Sequence, residues 1–292
     1  MKATSLFVLT TALALPLVAQ AGTSFLVSSP VLEHDEIVLM LGGLSEDGVA
    51  LQPTSVQVEI DGAPAAPPRV EHLFERAESA GERSPLAVGL TYLWIKEVPS
   101  AMSDALLEGV TGFCRRLPNS TPVRAVLYGR KRQPIPKLKA SELASDLHDV
   151  GFLAGDRPNL ADAIRLAIKA LSSEESPLKV LLLVTDGRDF ADPTGEGPAD
   201  FAGLADELTR ARIPLLLVSF PGPEVDAAES ARNLAALAGT GLQRTVEQPA
   251  ELQNTLESLG QTVADMRLVR LAIPWTWRTW GGTHRLRLNV QI

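Results

Sequence analysis

Leu181-Leu182-Leu183-Val184-Thr185-Asp186-Gly187 is the stretch on which the fold turns. Its apolar residues are continuous, so a strand made from them has two faces to bury. Parallel strands covered by helices on both sides read in this way. Outward from it, similar runs occur at 86–95, 123–128 and 213–220, with a weaker one at 242–246. Apolar residues at helical spacing fill the gaps, at 103–117, 159–171, 199–212, 227–238 and 250–263. Strand and helix alternating in this order predict an open, doubly wound α/β domain with a mostly parallel sheet. It spans residues 85–265. Residues 137–150 add either a small edge hairpin or a short helix.

The flanks have a different texture. Residues 25–27 and 36–41 read as strands, and Val56, Val58 and Ile60 alternate with polar neighbours before a turn at Asp61-Gly62. A Pro-rich stretch at 63–68 and a charged segment at 71–83 read as a connector, which puts the N-terminal β region and linker at 22–84. Residues 266–292 return to strands, with Leu286, Leu288 and Val290 at period two after the turn Gly281-Gly282. A few isolated strands are marginal in water. The tail is therefore expected to pair with 22–62 in a small β-sandwich-like domain. The chain contains no internal repeat.

The first 21 residues read as a signal peptide: Lys2, an apolar stretch at 6–18, and Ala19-Gln20-Ala21 as the cleavage site. The apolar stretch is shorter than the roughly 20 residues of a spanning helix. Cleavage after Ala21 would leave no membrane span, and the mature chain is expected in the periplasm or outside the cell. A formal charge of -8 over 292 residues argues against nucleic acid as a partner, because phosphate neutralisation needs clustered Lys and Arg. Arg130-Lys131-Arg132 is too short to reverse that. The single cysteine, Cys114, can form no internal disulfide and sits in an apolar helical pattern, where a thiol behaves as a small hydrophobe.

In open α/β sheets ligands bind outside the carboxyl ends of the strands, and Asp186 falls on that edge. A turn aspartate bonded to backbone amides is the other reading. The loops at 96–102, 153–158 and 187–198 should converge there. They bring Lys96, Glu97, Ser100, Pro158 and Asn159 together with Asp186, Asp189, Asp192 and Glu196 as a binding surface. The last loop is acidic and rich in Gly and Pro, so it can be long and exposed, and a partner there would present basic groups to Asp189, Asp192 and Glu196.

The element order resembles the von Willebrand factor type A (vWA) domain family over about 180 residues. The motifs that carry the likeness are a first strand ending before Met102 and a helix, Gly155-Asp156-Arg157-Pro158-Asn159-Leu160 before another helix, and the strand into Thr185-Asp186-Gly187. The strand ending Glu59-Ile60-Asp61-Gly62 and the C-terminal strands look like the flanks of bacterial secreted members. The resemblance implies a protein-binding module and, in metal-binding members, a metal-ion-dependent adhesion site. That site uses D-x-S-x-S after the first strand, a Thr before a later helix, and an Asp after the fourth strand. Hard oxygen ligands hold the ion in near-octahedral array, with one position open for a partner's carboxylate.

This chain departs from that pattern. D-x-S-x-S is absent, the corresponding stretch reads Lys96-Glu97-Val98-Pro99-Ser100-Ala101-Met102, Pro158 takes the Thr position, and Asp186 alone survives. An ammonium about 4 Å from a divalent ion would be repelled by on the order of 8 kcal/mol at an effective dielectric of 20. The expectation is a degenerate site with no cofactor and no metal. The alternative is Mg or Mn on Glu97, Ser100 and Asp186.

Trp275 and Trp277 share one strand face, with Trp280 and Arg278 nearby, which suits either a stacking platform for sugar or the core of the small sheet. His34, His72, His148 and His284 lack metal-ligand spacing. Neither a G-x-S-x-G elbow nor a phosphate loop occurs. The expected function is therefore non-enzymatic docking onto an unknown envelope or secreted protein. The alternatives are a Mg- or Mn-dependent vWA adhesin, an envelope carbohydrate binder, and a hydrolase using Asp189, Asp192 and Glu196.

Overall fold

Strand and helix alternate from Leu86 to Ala264 in the computed structural model. It describes residues 23–27, 31–33, 35–45, 49–51, 55–75, 84–94, 98–129, 150–152, 159–190, 200–222, 226–272 and 286–291. In chain order the N-terminal strands are β1 (Thr23–Val27), β2 (Val31–Glu33), β3 (Glu36–Ser45), β4 (Ala50–Leu51), β5 (Ser55–Ile60), β6 (Ala63–Pro64) and β7 (Arg69–His72). Next come β8 (Leu86–Leu93), α1 (Ser100–Arg116), β9 (Val123–Tyr128), β10 (Val150–Phe152), α2 (Leu160–Ser173), β11 (Leu178–Thr185) and α3 (Phe201–Arg210). The chain continues through β12 (Leu215–Ser219), α4 (Ala227–Leu237), β13 (Gly241–Thr245) and α5 (Pro249–Ala264) to β14 (Arg267–Ala272) and β15 (Leu286–Gln291).

The central sheet has the order β10-β9-β8-β11-β12-β13, and every pairing in it is parallel. Its order reverses between β8 and β11, which makes the doubly wound sheet expected from the apolar runs. β8 is buried along its whole length, as a strand with helices on both faces must be. Helix α2 lies on β8 and β9 and is followed by α3 and α4, while α1 packs along α5. Gly109 and Gly260 allow that last contact. A Cβ on Gly260 would lie 2.6 Å from the Phe113 carbonyl oxygen, and one on Gly109 2.7 Å from Leu256 Cδ1.

The flanks build two antiparallel sheets. One has the order β1-β3-β14-β7, with β2 and β4 also on β3, and the other has the order β15-β5-β6. Between them lie Ile37, Leu39, Leu41, Val56, Val58, Val269, Leu271, Leu286 and Leu288. The alternate residues of β3, Val38, Met40 and Leu44, join the α/β core together with Leu73, Phe74 and Met266. Thus β3 is a shared layer, which explains why Ile37 to Leu44 are buried without a break.

Several boundaries differ from the sequence reading. Glu71 and His72, in the segment read as a charged connector, belong to β7, whose charges meet partners across the sheet: Arg270 Nε lies 3.4 Å from Glu71 Oε2, and Arg69 Nη2 3.7 Å from Glu36 Oε2. Helix α1 starts three residues earlier than expected, because Pro99 needs no N–H partner at a helix entry. Helix α3 stops at Arg210, since Arg212 has a left-handed φ of 58°. Residue 150, at the end of the expected hairpin or helix, begins an edge strand parallel to β9.

The signal-peptide reading at 1–21, the tryptophans Trp275, Trp277 and Trp280, and His34, His148 and His284 lie outside the described residues. So do Lys96, Glu97, Pro158, Asp192 and Glu196. No helix among the described residues is long and apolar enough to cross a membrane.

Candidate functional site

Strand β11 delivers Thr185 and Asp186 to the carboxyl edge of the central sheet, and the chain turns there through Gly187. Thr185 Oγ1 accepts the Gly187 N–H at 2.8 Å and is hydrogen-bonded to the Tyr128 hydroxyl at the end of β9. Gly187 has φ +83°, and a Cβ on it would lie 2.8 Å from the Ser230 carbonyl oxygen of α4. Only glycine satisfies both the left-handed backbone and this close approach. Asn233 Nδ2 donates to the Gly187 carbonyl at 2.8 Å and holds the turn against α4.

Because the turn reverses the chain over one residue, the side chains of Asp186 and Arg188 meet. Arg188 N donates to Asp186 Oδ1 at 3.1 Å, and Nε donates to Oδ2 at 2.6 Å. Nη2 also lies 2.6 Å from Oδ2, and the two side chains are 8% and 0% exposed. The guanidinium carbon sits 4.6 Å from the centre of the Phe190 ring, a cation–π distance. Phe190 in turn tilts against Tyr128 at 6.3 Å. Burial, followed by the Asp186 charge, holds the Tyr128 hydroxyl well above its ordinary pKa.

Asp189 is not the exposed loop acid expected from sequence. It is buried. Its carbonyl accepts the Leu160 N–H at 3.0 Å and its Oδ1 accepts the Ala161 N–H at 2.8 Å. Asn159 Oδ1 accepts the Asp162 N–H at 2.8 Å. Together they satisfy the first three orphan donors of α2. Asp189 Oδ2 is buried without a hydrogen-bond partner. Burial raises the Asp189 pKa above its ordinary value, against the Ala161 hydrogen bond, and the Asp162 and Glu229 charges add to the rise.

Of the sequence-selected residues, Asp186, Asp189 and Asn159 meet at this edge, while Ser100 is exposed at the first turn of α1. Arg188, Phe190, Tyr128 and Asn233 also build the site, and of these only Arg188 carries a signal in the sequence, its i, i+2 spacing from Asp186 around a glycine. Cys114 is fully buried, and burial pushes its thiol up to about 12, which leaves no thiolate for chemistry at neutral pH.

The site does not suit a divalent ion. Both Asp186 oxygens accept from Arg188, and the oxygens of Asn159 and Asp189 that face α2 are engaged by its N–H groups. A guanidinium about 4 Å from such an ion would meet repulsion on the order of 8 kcal/mol at an effective dielectric of 20. No group of three His, Cys, Asp or Glu able to hold a metal occurs among the described residues. A concavity of about 860 Å³ lies away from this edge, between α5, β13 and β4, and is lined by Arg116, Arg244, Glu251, Asn254 and Glu257 among others. Its charges are mixed, and Arg116 pairs with Glu257 at 3.8 Å.

No family model matches this chain, and no curated protein matches it either. Solved structures similar to it include the conserved hypothetical protein BatB from Bacteroides thetaiotaomicron, at 13% identity, covering 61% of this chain and 97% of that one with a TM-score of 0.39. The PilB minor pilin from Streptococcus sanguinis is 11% identical, covering 83% and 78% of the two chains, with a TM-score of 0.40. The human COPII-coat protein Sec24c is 13% identical, covering 60% and 32%, with a TM-score of 0.39. The α/β fold and the chemistry of its carboxyl edge characterise the chain.

Proposed function

We propose that this chain is a non-enzymatic docking module of the bacterial cell envelope, exported after cleavage following Ala21, that receives a protein partner at the carboxyl edge of its central sheet. The observation that carries the reading is the internal engagement of the acids at that edge. Asp186 is held by Arg188 and Asp189 by the N-terminus of α2. A general acid or base must reach a substrate proton. Neither carboxylate is placed to do so, and the edge is where this fold class presents ligands. The resemblance to vWA domains supports the same reading. The chain's acidity supports a protein partner over nucleic acid.

With Asp189 buried, the acids left to meet a basic partner are Asp192 and Glu196. Reversing both to Lys should reduce capture of a cross-linked partner from envelope extract, slow association more than it speeds dissociation, and leave the melting temperature unchanged. Capture that survives this change but disappears on replacing Trp275 and Trp277 with Ala would move the binding face to the small β domain. Soluble glycan that competed for those tryptophans would then favour a carbohydrate binder.

A further inference from the structure

We infer that the Arg188 guanidinium is this chain's own cation for Asp186, standing where metal-binding members of the family it resembles hold a divalent ion, so that the edge works without metal. This goes beyond the docking proposal and does not depend on which partner is bound.

The geometry gives three reasons. First, the carboxylate is fully engaged, since backbone N, Nε and Nη2 of Arg188 all approach it, the last two at 2.6 Å. Charge-assisted contacts of this kind are the strong ones. Second, the guanidinium is itself held. It lies 4.6 Å from the Phe190 ring centre, and its Nη1 lies 3.9 Å from Asp226 Oδ2 at the entry of α4. Third, the space is closed. A Cβ on Gly222, which follows β12, would lie 3.2 Å from Asp186 Cβ and 3.3 Å from Oδ2. A magnesium ion needs near-octahedral oxygen ligands at 2.0–2.1 Å and keeps several waters. A carboxylate walled by Gly222 and covered by a guanidinium leaves no such shell.

The Asp186-Gly187-Arg188 turn supplies one fixed positive charge, enough to balance the Asp186 carboxylate, and it does so permanently. A carboxylate neutralised by an ion is held only when the ion is bound. Asp186, neutralised by Arg188, is held whenever the chain is folded.

Full-length protein and its variants should be melted in EDTA, in 5 mM MgCl₂ and in 5 mM MnCl₂, with the Mn²⁺ electron paramagnetic resonance signal recorded in parallel. Wild type should melt at one temperature in all three, and Mn²⁺ should keep the spectrum of the free aquo ion. Arg188→Ala, which strands a buried carboxylate, should melt roughly 6–20 °C lower. Asp186→Leu/Arg188→Met, which removes both charges, should recover most of that loss, and it remains informative if the single variant does not fold. A Mn²⁺-dependent rise in the wild-type melting temperature that Asp186→Asn abolishes would overturn the inference. It would also be overturned by an Arg188→Ala variant as stable as wild type, or by a double variant no better than the single. Loss of the docking proposal would show only in partner capture, which this experiment does not read.

Discussion

Asp186 and Arg188 are two residues apart in sequence and 2.6 Å apart at their charged ends, and both are buried where the central strand β11 runs out. A buried pair is not a reliable source of net stability, because desolvation offsets the attraction. Breaking one is another matter. Asp186→Asn leaves the guanidinium without its counter-charge and should cost about 3–5 kcal/mol in urea unfolding. Raising NaCl from about 0.05 to 0.5 M should barely change that cost, the difference between wild type and Asp186→Asn, since salt screens buried pairs much less than exposed ones. A strong salt dependence would place the pair in solvent.

Gly187→Ala should be among the more damaging single changes at the edge. Its left-handed φ of +83° costs an L-residue roughly 1–2 kcal/mol. The 2.8 Å approach of a new Cβ to the Ser230 carbonyl adds overpacking of roughly 1–3 kcal/mol. A loss of about 2–5 kcal/mol in equilibrium unfolding is expected. Gly62 has a similar φ but nothing within 4 Å of a Cβ, so Gly62→Ala should show only the backbone part.

Asp189 should give stability an uncommon pH dependence. Its folded pKa lies above the ordinary 3.8, so over the window that opens at 3.8 the native state holds a proton the unfolded chain has released. Its contribution is therefore present at lower pH and lost as pH rises through the raised value. Asp189→Asn keeps an acceptor for Ala161 and cannot ionise, so its stability should fall less over that window than wild type's. Asp189→Ala removes the cap and should cost about 0.5–2 kcal/mol. Parallel wild-type and Asn curves would show that the carboxyl titrates as if exposed.

Truncation after Asp265 removes β14 and β15, which pair with β3 and β5. Val269, Leu271, Leu286 and Leu288 leave the core of the small sandwich with them. At roughly 1.5–3 kcal/mol for each buried side chain, the loss is roughly 6–12 kcal/mol, comparable with the whole stability of a typical domain. The truncated chain should aggregate or be proteolysed through residues 36–60, as limited digestion with mass spectrometry would show. Protection of Val56 and Val58 without the tail would contradict this.

By itself the sequence determined the doubly wound sheet, because continuous apolar runs such as 181–184 alternate with helical patterns that can cover both faces of a parallel sheet, and both signals are local. It also placed Asp186 at the carboxyl edge, since strand polarity follows from element order. What only the tertiary structure decided was which charges face one another. Arg188 folds back on Asp186 because Gly187 takes a left-handed turn pressed on α4. Asp189 is buried because α2, nearly thirty residues upstream, brings two unpaired N–H groups to it. The edge strand β7 was equally hidden, since Arg69 and Glu71 find partners across the sheet, on β3 and β14. Apolar periodicity records how a residue relates to its own helix or strand. A buried charge is decided by its partner, and the partner arrives through chain reversals and crossovers that periodicity does not encode.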